Sequence, residues 1–281
     1  MMNSLRVAAF AAVVAALPFA AQAQQAGHGA QGVGEQAVRN VVLVHGAFAD
    51  GSGWRGVYDD LTRRGYRVTI VQNPLTSLAD DVAATKRALA RQDGPAILVG
   101  HSWGGTVITE AGVDPKVAGL VYVSALSPDA GETTAQQYEG FVTPAEFVID
   151  TQGDGFGLVK AENFKIGFAA DASDADAAFM RDSQVPINLS AFQTELTQAA
   201  WRFRPSWAVI ATDDKAFDLR MLRHMADRIG AEVTEMIQGY VTAITMEATE
   251  EDIHGIVYPH PTMSEAMHEA ALDAYGRVIH I

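Results

Sequence analysis

The stretch Ala96-Ile-Leu-Val-Gly100-His-Ser102-Trp-Gly104-Gly105 decides how the rest of the chain is interpreted. Its apolar, β-branched start predicts a buried parallel strand, and the β-branched residues after it can begin a helix. A serine on a sharp strand-to-helix turn needs flanking glycines, because a Cβ atom would crowd the backbone there. The stretch therefore predicts a nucleophile elbow with Ser102 as nucleophile, and a glycine-rich turn without a catalytic role is the alternative.

A second motif lies upstream, where the apolar run Val41–Val44 leads into His45-Gly46-Ala47. A strand followed by His-Gly-x resembles the loop that supplies one oxyanion-hole amide in α/β-hydrolases, here the N–H of Ala47. The second amide would be that of Trp103, directly after the nucleophile. His45 is expected to brace this loop through hydrogen bonds, with a role as catalytic base as the alternative.

Strand and helix patterns alternate on either side of the elbow, which predicts a mostly parallel sheet with flanking helices. Helical periodicity covers 57–64, 78–90 and 219–229, and further strands are predicted at 66–71, 117–123, 206–212 and 231–235.

The strand rhythm stops between 127 and about 200, which predicts a helical cap over the strand ends, with helical fragments at 172–181 and 191–201. Six aromatic residues are candidates for an acyl pocket, with ordinary cap packing as the alternative: Tyr138, Phe141, Phe147, Phe164, Phe168 and Phe179.

Two adjacent carboxylates, Asp213 and Asp214, follow the late strand 206–212. This is where the chain order Ser…Asp…His places the acid that orients the catalytic imidazole. We expect Asp214 to be that acid, with Asp213 as the alternative. An Asp pair opening a solvated turn is the structural explanation of the same pattern.

Residues 41–235 resemble the α/β-hydrolase superfamily, in the small esterase-like branch with plant methylesterases and hydroxynitrile lyases. The resemblance rests on His45-Gly46-Ala-Phe, Gly100-His101-Ser102-Trp-Gly104-Gly, 201–207 and 211–215. It implies an α/β-hydrolase domain at 40–235, with hydrolysis of a small hydrophobic ester as the expected reaction. The alternatives are hydroxynitrile-lyase-like C–C cleavage and an inactive binding or dimerising protein.

The catalytic histidine that the family places soon after the last strand is missing here. The segment 236–240 reads MIQGY, and no histidine follows until His254. We expect His260 to serve as base, with His254 as the alternative, and we expect His224 to be a surface residue.

The tail 236–281 resembles the end of the dimerisation domain of dihydrolipoyl dehydrogenases, through the run His260-Pro-Thr262-Met-Ser-Glu265. In that family the residues matching His260 and Glu265 form an acid/base dyad, and the resemblance implies a homodimer through the tail. The structural alternative is a capping box in which Thr262 and Glu265 open an appended helix. The chain has no Gly-x-Gly-x-x-Gly fingerprint and no cysteine, so no flavin, nicotinamide or other cofactor is expected.

The N-terminal sequence and the overall charge indicate where the protein is located and which partners are excluded. Residues 1–23 combine a positive start, an apolar stretch and Ala-Gln-Ala, which predicts a cleaved signal peptide, with an uncleaved anchor as the alternative. A flexible leader is expected at 24–39, and the mature protein is expected in the periplasm or outside the cell. The net charge of −14 argues against a nucleic-acid partner or an anionic membrane. No metal site is expected.

Overall fold

A computed structural model describes residues 38–236, and its centre is a six-stranded parallel sheet. The strand order is β2-β1-β3-β4-β8-β9, so the elbow strand lies inside the sheet. The strands are β1 (Asn40–Val44), β2 (Arg67–Val71), β3 (Ala96–Ser102), β4 (Val117–Ala125), β8 (Ser206–Ala211) and β9 (Glu232–Met236).

Strand β1 is buried along its whole length because both faces of the sheet are covered. Val42 and Val44 belong to one apolar cluster and Val41 and Leu43 to another. This is the two-fold alternation of a strand that lies between two layers of helix.

Within residues 38–236, four α-helices flank the sheet: α1 (Arg55–Arg63), α2 (Leu78–Ala90), α3 (Trp103–Ala111) and α6 (Leu219–Arg228). Helix α2 begins where the Ser77 side chain accepts a hydrogen bond from the Asp80 amide, and Asp218 caps α6 in a similar way. Helices α1 and α6 present narrow apolar stripes, whereas α3 is buried on nearly every side.

The region between β4 and β8 forms the cap. It holds α4 (Ala161–Gly167), α5 (Asp174–Asp182) and a three-stranded antiparallel sheet of β5 (Ile149–Thr151), β6 (Phe156–Val159) and β7 (Ile187–Asn188). The cap was predicted to be helical, and the small sheet is an addition to that picture. Its strands of two to four residues are too short to show an alternating pattern.

The predicted helix at 191–201 is wrong. Two short 3₁₀ segments, Leu189–Gln193 and Ala200–Arg202, flank a non-helical stretch. In that stretch the Glu110 carboxylate of α3 accepts hydrogen bonds from the amides of Thr197 and Gln198. The backbone amides are thus satisfied by a side chain rather than by a helical turn.

The described part also bears on the predicted leader. Val38 packs on the apolar cluster around β1, and the Arg39 carbonyl accepts from the Arg67 amide, so 38–39 belong to the domain. The predicted signal peptide and almost all of the predicted tail lie outside the described residues. Within 38–236, no helix combines the length and apolar character that a membrane span requires.

Candidate active site

Ser102 ends β3 immediately before α3 and has φ 52° and ψ −121°. This left-handed φ is costly for a residue with a side chain, and such strain concentrates at functional sites. The elbow closes because its glycines lack Cβ atoms. A Cβ on Gly100 would lie 2.5 Å from the carbonyl oxygen of Gly104, and one on Gly104 would lie 2.5 Å from that of Val44.

The loop after β1 lies directly against the nucleophile. A Cβ atom on Gly46 would be 2.9 Å from the Cβ of Ser102 and 3.1 Å from the carbonyl oxygen of His101. Only glycine permits that approach, since real Cβ contacts do not reach such distances. The fold therefore brings the two predicted motifs, 45–47 and 100–104, into one site.

His45 braces this loop from inside the protein. Its Nε2 accepts from the Asn73 amide at 2.9 Å, so Nδ1 carries the proton and donates to the Gly46 carbonyl at 2.8 Å. The Asn73 side chain also donates to the His45 carbonyl at 3.0 Å. Burial lowers the pKa of His45 and keeps the ring neutral. With both ring nitrogens engaged, His45 is poorly suited to act as a general base.

Two buried residues supply the candidate oxyanion-hole amides. Ala47 follows Gly46, and Trp103 is the first residue of α3. An amide in the first turn of a helix has no partner within that helix. Among the described backbone hydrogen bonds outside helices and strands, neither N–H group is a donor, and the Ser102 side chain makes no capping bond to α3. These two amides and the Ser102 hydroxyl are therefore the candidate oxyanion donors and the candidate nucleophile.

Asp214 follows β8 on the same side of the molecule as the elbow. Its Oδ1 accepts from the amides of Ala216 and Phe217 at 2.8 and 2.9 Å, which leaves Oδ2 for another donor. Burial lowers the pKa of His101, and the charge of Asp214 partly opposes that shift. Asp213, by contrast, is exposed and forms an ion pair with Lys215. These contacts favour Asp214 over Asp213 as the acid that faces the site.

The described residues contain three histidines, and none is hydrogen-bonded to Ser102. His45 is committed to its loop, and His101 packs edge-on against Trp54 with ring centroids 6.3 Å apart. His224 lies on the exposed side of α6, against Phe141. The two predicted bases, His260 and His254, lie outside the described residues. Between residues 38 and 236, no group of three or more potential metal ligands comes together.

The candidate pocket aromatics separate into groups. Phe147, Phe164 and Phe168 of the cap form a chain of ring contacts that reaches Phe48, with centroid distances of 5.0–6.4 Å. Tyr138 and Phe141 instead pack on Phe217 and His224. Phe179 is 69% exposed, so it lines no pocket among the described residues. The first group therefore lies next to the candidate oxyanion loop, because Phe48 is the residue that follows Ala47.

The sequence interpretation missed Asp81, a fully buried carboxylate on α2. Its Oδ2 accepts from the indole Nε1 of Trp103 at 2.7 Å, and its Oδ1 accepts from the Leu75 amide at 2.8 Å. Burial is the main reason that the pKa of Asp81 is raised to about 6. The sequence did contain a signal for this burial, because Asp81 lies on the same apolar face of the predicted helix as Leu78 and Val82.

This raised pKa predicts a particular pH dependence of stability. The folded state holds a proton on Asp81 up to about pH 6, whereas the unfolded chain releases it near pH 4, so stability falls as the pH rises through that window. We expect the free energy of unfolding of wild type, minus that of Asp81→Asn, to fall by about 2 kcal/mol between pH 4 and 7. Urea unfolding at several pH values measures it, with Asp80→Asn as control. A difference that does not change with pH would contradict the prediction.

The comparisons with known proteins agree with this geometry. A family model described as "Alpha/beta hydrolase family" matches residues 41–257. A pyrethroid hydrolase of Sphingobium wenxiniae is 35% identical over 122 residues, which cover 39% of this chain and 42% of that protein. The crystal structure of polyneuridine aldehyde esterase superposes with a TM-score of 0.61 at 15% identity. It covers 85% of this chain and 100% of that one, and at this identity it supports the fold alone.

A second kind of similarity covers a shorter segment. Over 55 residues, 20% of this chain, the sequence is 62% identical to a dihydrolipoyl dehydrogenase of Zymomonas mobilis. The matched segment spans 12% of that protein, so most of the dehydrogenase has no counterpart in the match.

Proposed function

Because the chain belongs to the alpha/beta hydrolase family, we propose that it is a serine hydrolase that cleaves small carboxylic esters. One observation carries the proposal. Ser102 is held at a left-handed φ of 52°, and the loop that contains Ala47 approaches it so closely that only glycine fits at position 46. A strained serine beside two candidate oxyanion-hole amides is the arrangement that acyl transfer requires.

The reaction follows from these groups. Ser102 Oγ attacks the ester carbonyl while a histidine takes its proton, and the amides of Ala47 and Trp103 bind the resulting oxyanion. Collapse expels the alcohol, which takes the proton from the imidazolium, and leaves an acyl group on Ser102. Water then attacks the acyl-enzyme with the same histidine as base, which releases the carboxylic acid. Asp214 Oδ2 orients that histidine throughout.

We assign the base to His260, with His254 as the alternative. Strand β9 ends at Met236, and His260 follows about 24 residues later. At roughly 3.3 Å per extended residue, this length can return to the strand ends. What the chain has to provide is placement within about 3 Å of Ser102 Oγ.

A small hydrophobic acyl group suits the site. Phe48 follows the oxyanion residue Ala47 and is 4% exposed, and cap aromatics pack against it. Apolar walls with few polar groups are typical of small-ligand sites.

The proposal also includes a role for the C-terminal tail and a cellular location. We place the dihydrolipoyl-dehydrogenase-like segment mainly in 236–281, where it would pair two copies of the chain. Export through the signal sequence at 1–23 would put the enzyme in the periplasm or outside the cell. The run His260-Pro-Thr-Met-Ser-Glu265 supports the first statement, and the sequence pattern supports the second.

The experiment that tests the proposed function is the time course of p-nitrophenol release from p-nitrophenyl butyrate at high enzyme concentration. We expect steady turnover in wild type. His260→Ala should reduce it to a single stoichiometric burst or less, because deacylation also needs the base. His224→Ala, an exposed histidine on α6, is the matched control and should retain wild-type turnover.

Each alternative has its own result. If His254→Ala abolishes turnover and His260→Ala does not, His254 is the base. If wild type gives only one burst or no release, the fold binds without turning over, and the proposed function is wrong. Cyanide release from a hydroxynitrile without ester hydrolysis would indicate C–C cleavage instead.

A further inference from the structure

The two halves of the candidate oxyanion hole come from segments far apart in the sequence. Ala47 belongs to the loop after β1, and Trp103 begins α3. An oxyanion hole works only when its two donors are held at fixed positions before the charge develops. Some element of the structure has to fix both segments to a common support.

On the Trp103 side, the support is a hydrogen bond to the indole. Trp103 is fully buried and donates its Nε1–H to Asp81 Oδ2 at 2.7 Å, and its ring packs edge-on against Phe192 at 5.2 Å. The side chain and the backbone amide of Trp103 share one Cα atom. A fixed indole therefore limits how the first amide of α3 can move.

On the Ala47 side, the support runs through the segment 73–75. Asp81 Oδ1 accepts from the amide of Leu75. Leu75 has a left-handed φ of 58°, a conformation that costs energy and needs such a compensating contact. Asn73, two residues earlier, holds His45 through both its amide and its side chain. His45 in turn donates to the Gly46 carbonyl, one residue before Ala47.

We infer that Asp81 is a positioning residue that aligns both oxyanion donors, Trp103 through its indole and Ala47 through the Leu75–Asn73–His45 chain. The inference rests on the proposed function for its catalytic consequence, though not for its structural one. Asp81 belongs to both supports, because its Oδ1 accepts from the Leu75 amide and its Oδ2 accepts from the Trp103 indole. A hydrogen bond to a carboxylate is stronger than one between neutral groups, which suits a fixed support.

The test compares Asp81→Asn with Asp80→Asn. The substitutions are chemically identical and adjacent, but Asp80 is exposed and accepts hydrogen bonds from the Thr76 and Ser77 hydroxyls at the helix start. Asparagine at 81 can accept from one of the two donors and presents an N–H₂ group to the other. Two readouts are needed: the rate of Ser102 acylation by p-nitrophenyl butyrate, and amide hydrogen exchange in peptides covering 45–49 and 101–107.

We expect Asp81→Asn to lower the acylation rate about 10- to 100-fold, less than the loss of a whole oxyanion donor. The ester concentration that gives half of the maximal acylation rate should change less than about threefold, since the ground-state ester does not need the aligned amides. Exchange in both peptides should become faster. Asp80→Asn should leave both readouts at wild-type values.

Trp103→Phe removes only the indole donor and keeps a buried ring. It should accelerate exchange mainly in 101–107, and adding Asp81→Asn to it should slow acylation less than Asp81→Asn does in wild type. If Asp81→Asn does not fold, this variant carries the test alone.

The two failures are distinguishable. If wild type shows no release dependent on Ser102 but Asp81→Asn still accelerates exchange in both peptides, the proposed function is wrong and the positioning role stands. If Asp81→Asn matches Asp80→Asn in exchange and in acylation, the positioning role is overturned.

Discussion

Ser102→Ala is expected to lower kcat for p-nitrophenyl butyrate by at least about 10³-fold, because the acyl-enzyme cannot form without the hydroxyl. What activity remains would come from binding and the oxyanion amides alone. Alanine at position 102 removes one oxygen from a side chain that makes no capping hydrogen bond to α3, so the elbow itself should be preserved. Initial rates at saturating ester measure the effect.

The matched control is Ser183→Ala. Ser183 is exposed at the end of α5, where its hydroxyl donates to the Phe179 carbonyl at 2.7 Å. It should keep wild-type kcat. Equal rates in wild type and Ser102→Ala would show that any hydrolysis comes from another group or from a contaminant, and the assignment of the nucleophile would be wrong.

Asp214→Asn is expected to lower kcat about 10³- to 10⁴-fold, the scale seen when an orienting carboxylate is made neutral. The asparagine keeps Oδ1, which can still accept from the Ala216 and Phe217 amides, so the turn after β8 should hold its shape. The loss would come from Oδ2, which is replaced by a donor that favours the wrong imidazole tautomer.

Asp213→Asn separates this role from a general effect of charge. Asp213 is exposed and pairs with Lys215 at 2.5 Å, an interaction of small energetic weight at the surface. Its substitution should change kcat less than about threefold. A large loss with Asp213→Asn and a small one with Asp214→Asn would reverse the assignment of the acid.

Local chemistry was enough to predict the centre of the fold. The apolar run before Ser102 and the glycines around it predicted an elbow between strand and helix, and the structure has that elbow with a left-handed serine. Helix α2 was predicted over 78–90 with its observed bounds, because its apolar residues recur at regular helical spacing. In both places the local residue pattern and the tertiary structure favour the same conformation.

The cap was harder to predict because tertiary contacts decide its structure. Strand β6 pairs with β7, which lies much later in the chain. The Glu110 carboxylate accepts a backbone hydrogen bond from Thr197, within the segment where a helix was predicted. Phe179 was grouped with the other aromatics on residue type alone, yet its ring faces solvent. No local pattern distinguishes these outcomes.

The site shows the same division. The two motifs at 45–47 and 100–104 could be predicted from the sequence, but the hydrogen bonds of Asp81 that connect them could not. Asp81 occupies an apolar stripe where a carboxylate needs a partner, and that partner, Trp103, lies 22 residues away in the sequence. The choice between Asp213 and Asp214 likewise depends on which carboxylate the turn directs inward.

The most direct measurement of the central claim is the covalent trapping of the nucleophile. Wild type and Ser102→Ala would be treated with diethyl p-nitrophenyl phosphate, and the adduct located by intact mass and peptide mapping. We expect one diethylphosphoryl group per chain on Ser102 in wild type, and none in Ser102→Ala. An unmodified wild-type chain, or an adduct that persists in Ser102→Ala, would contradict it.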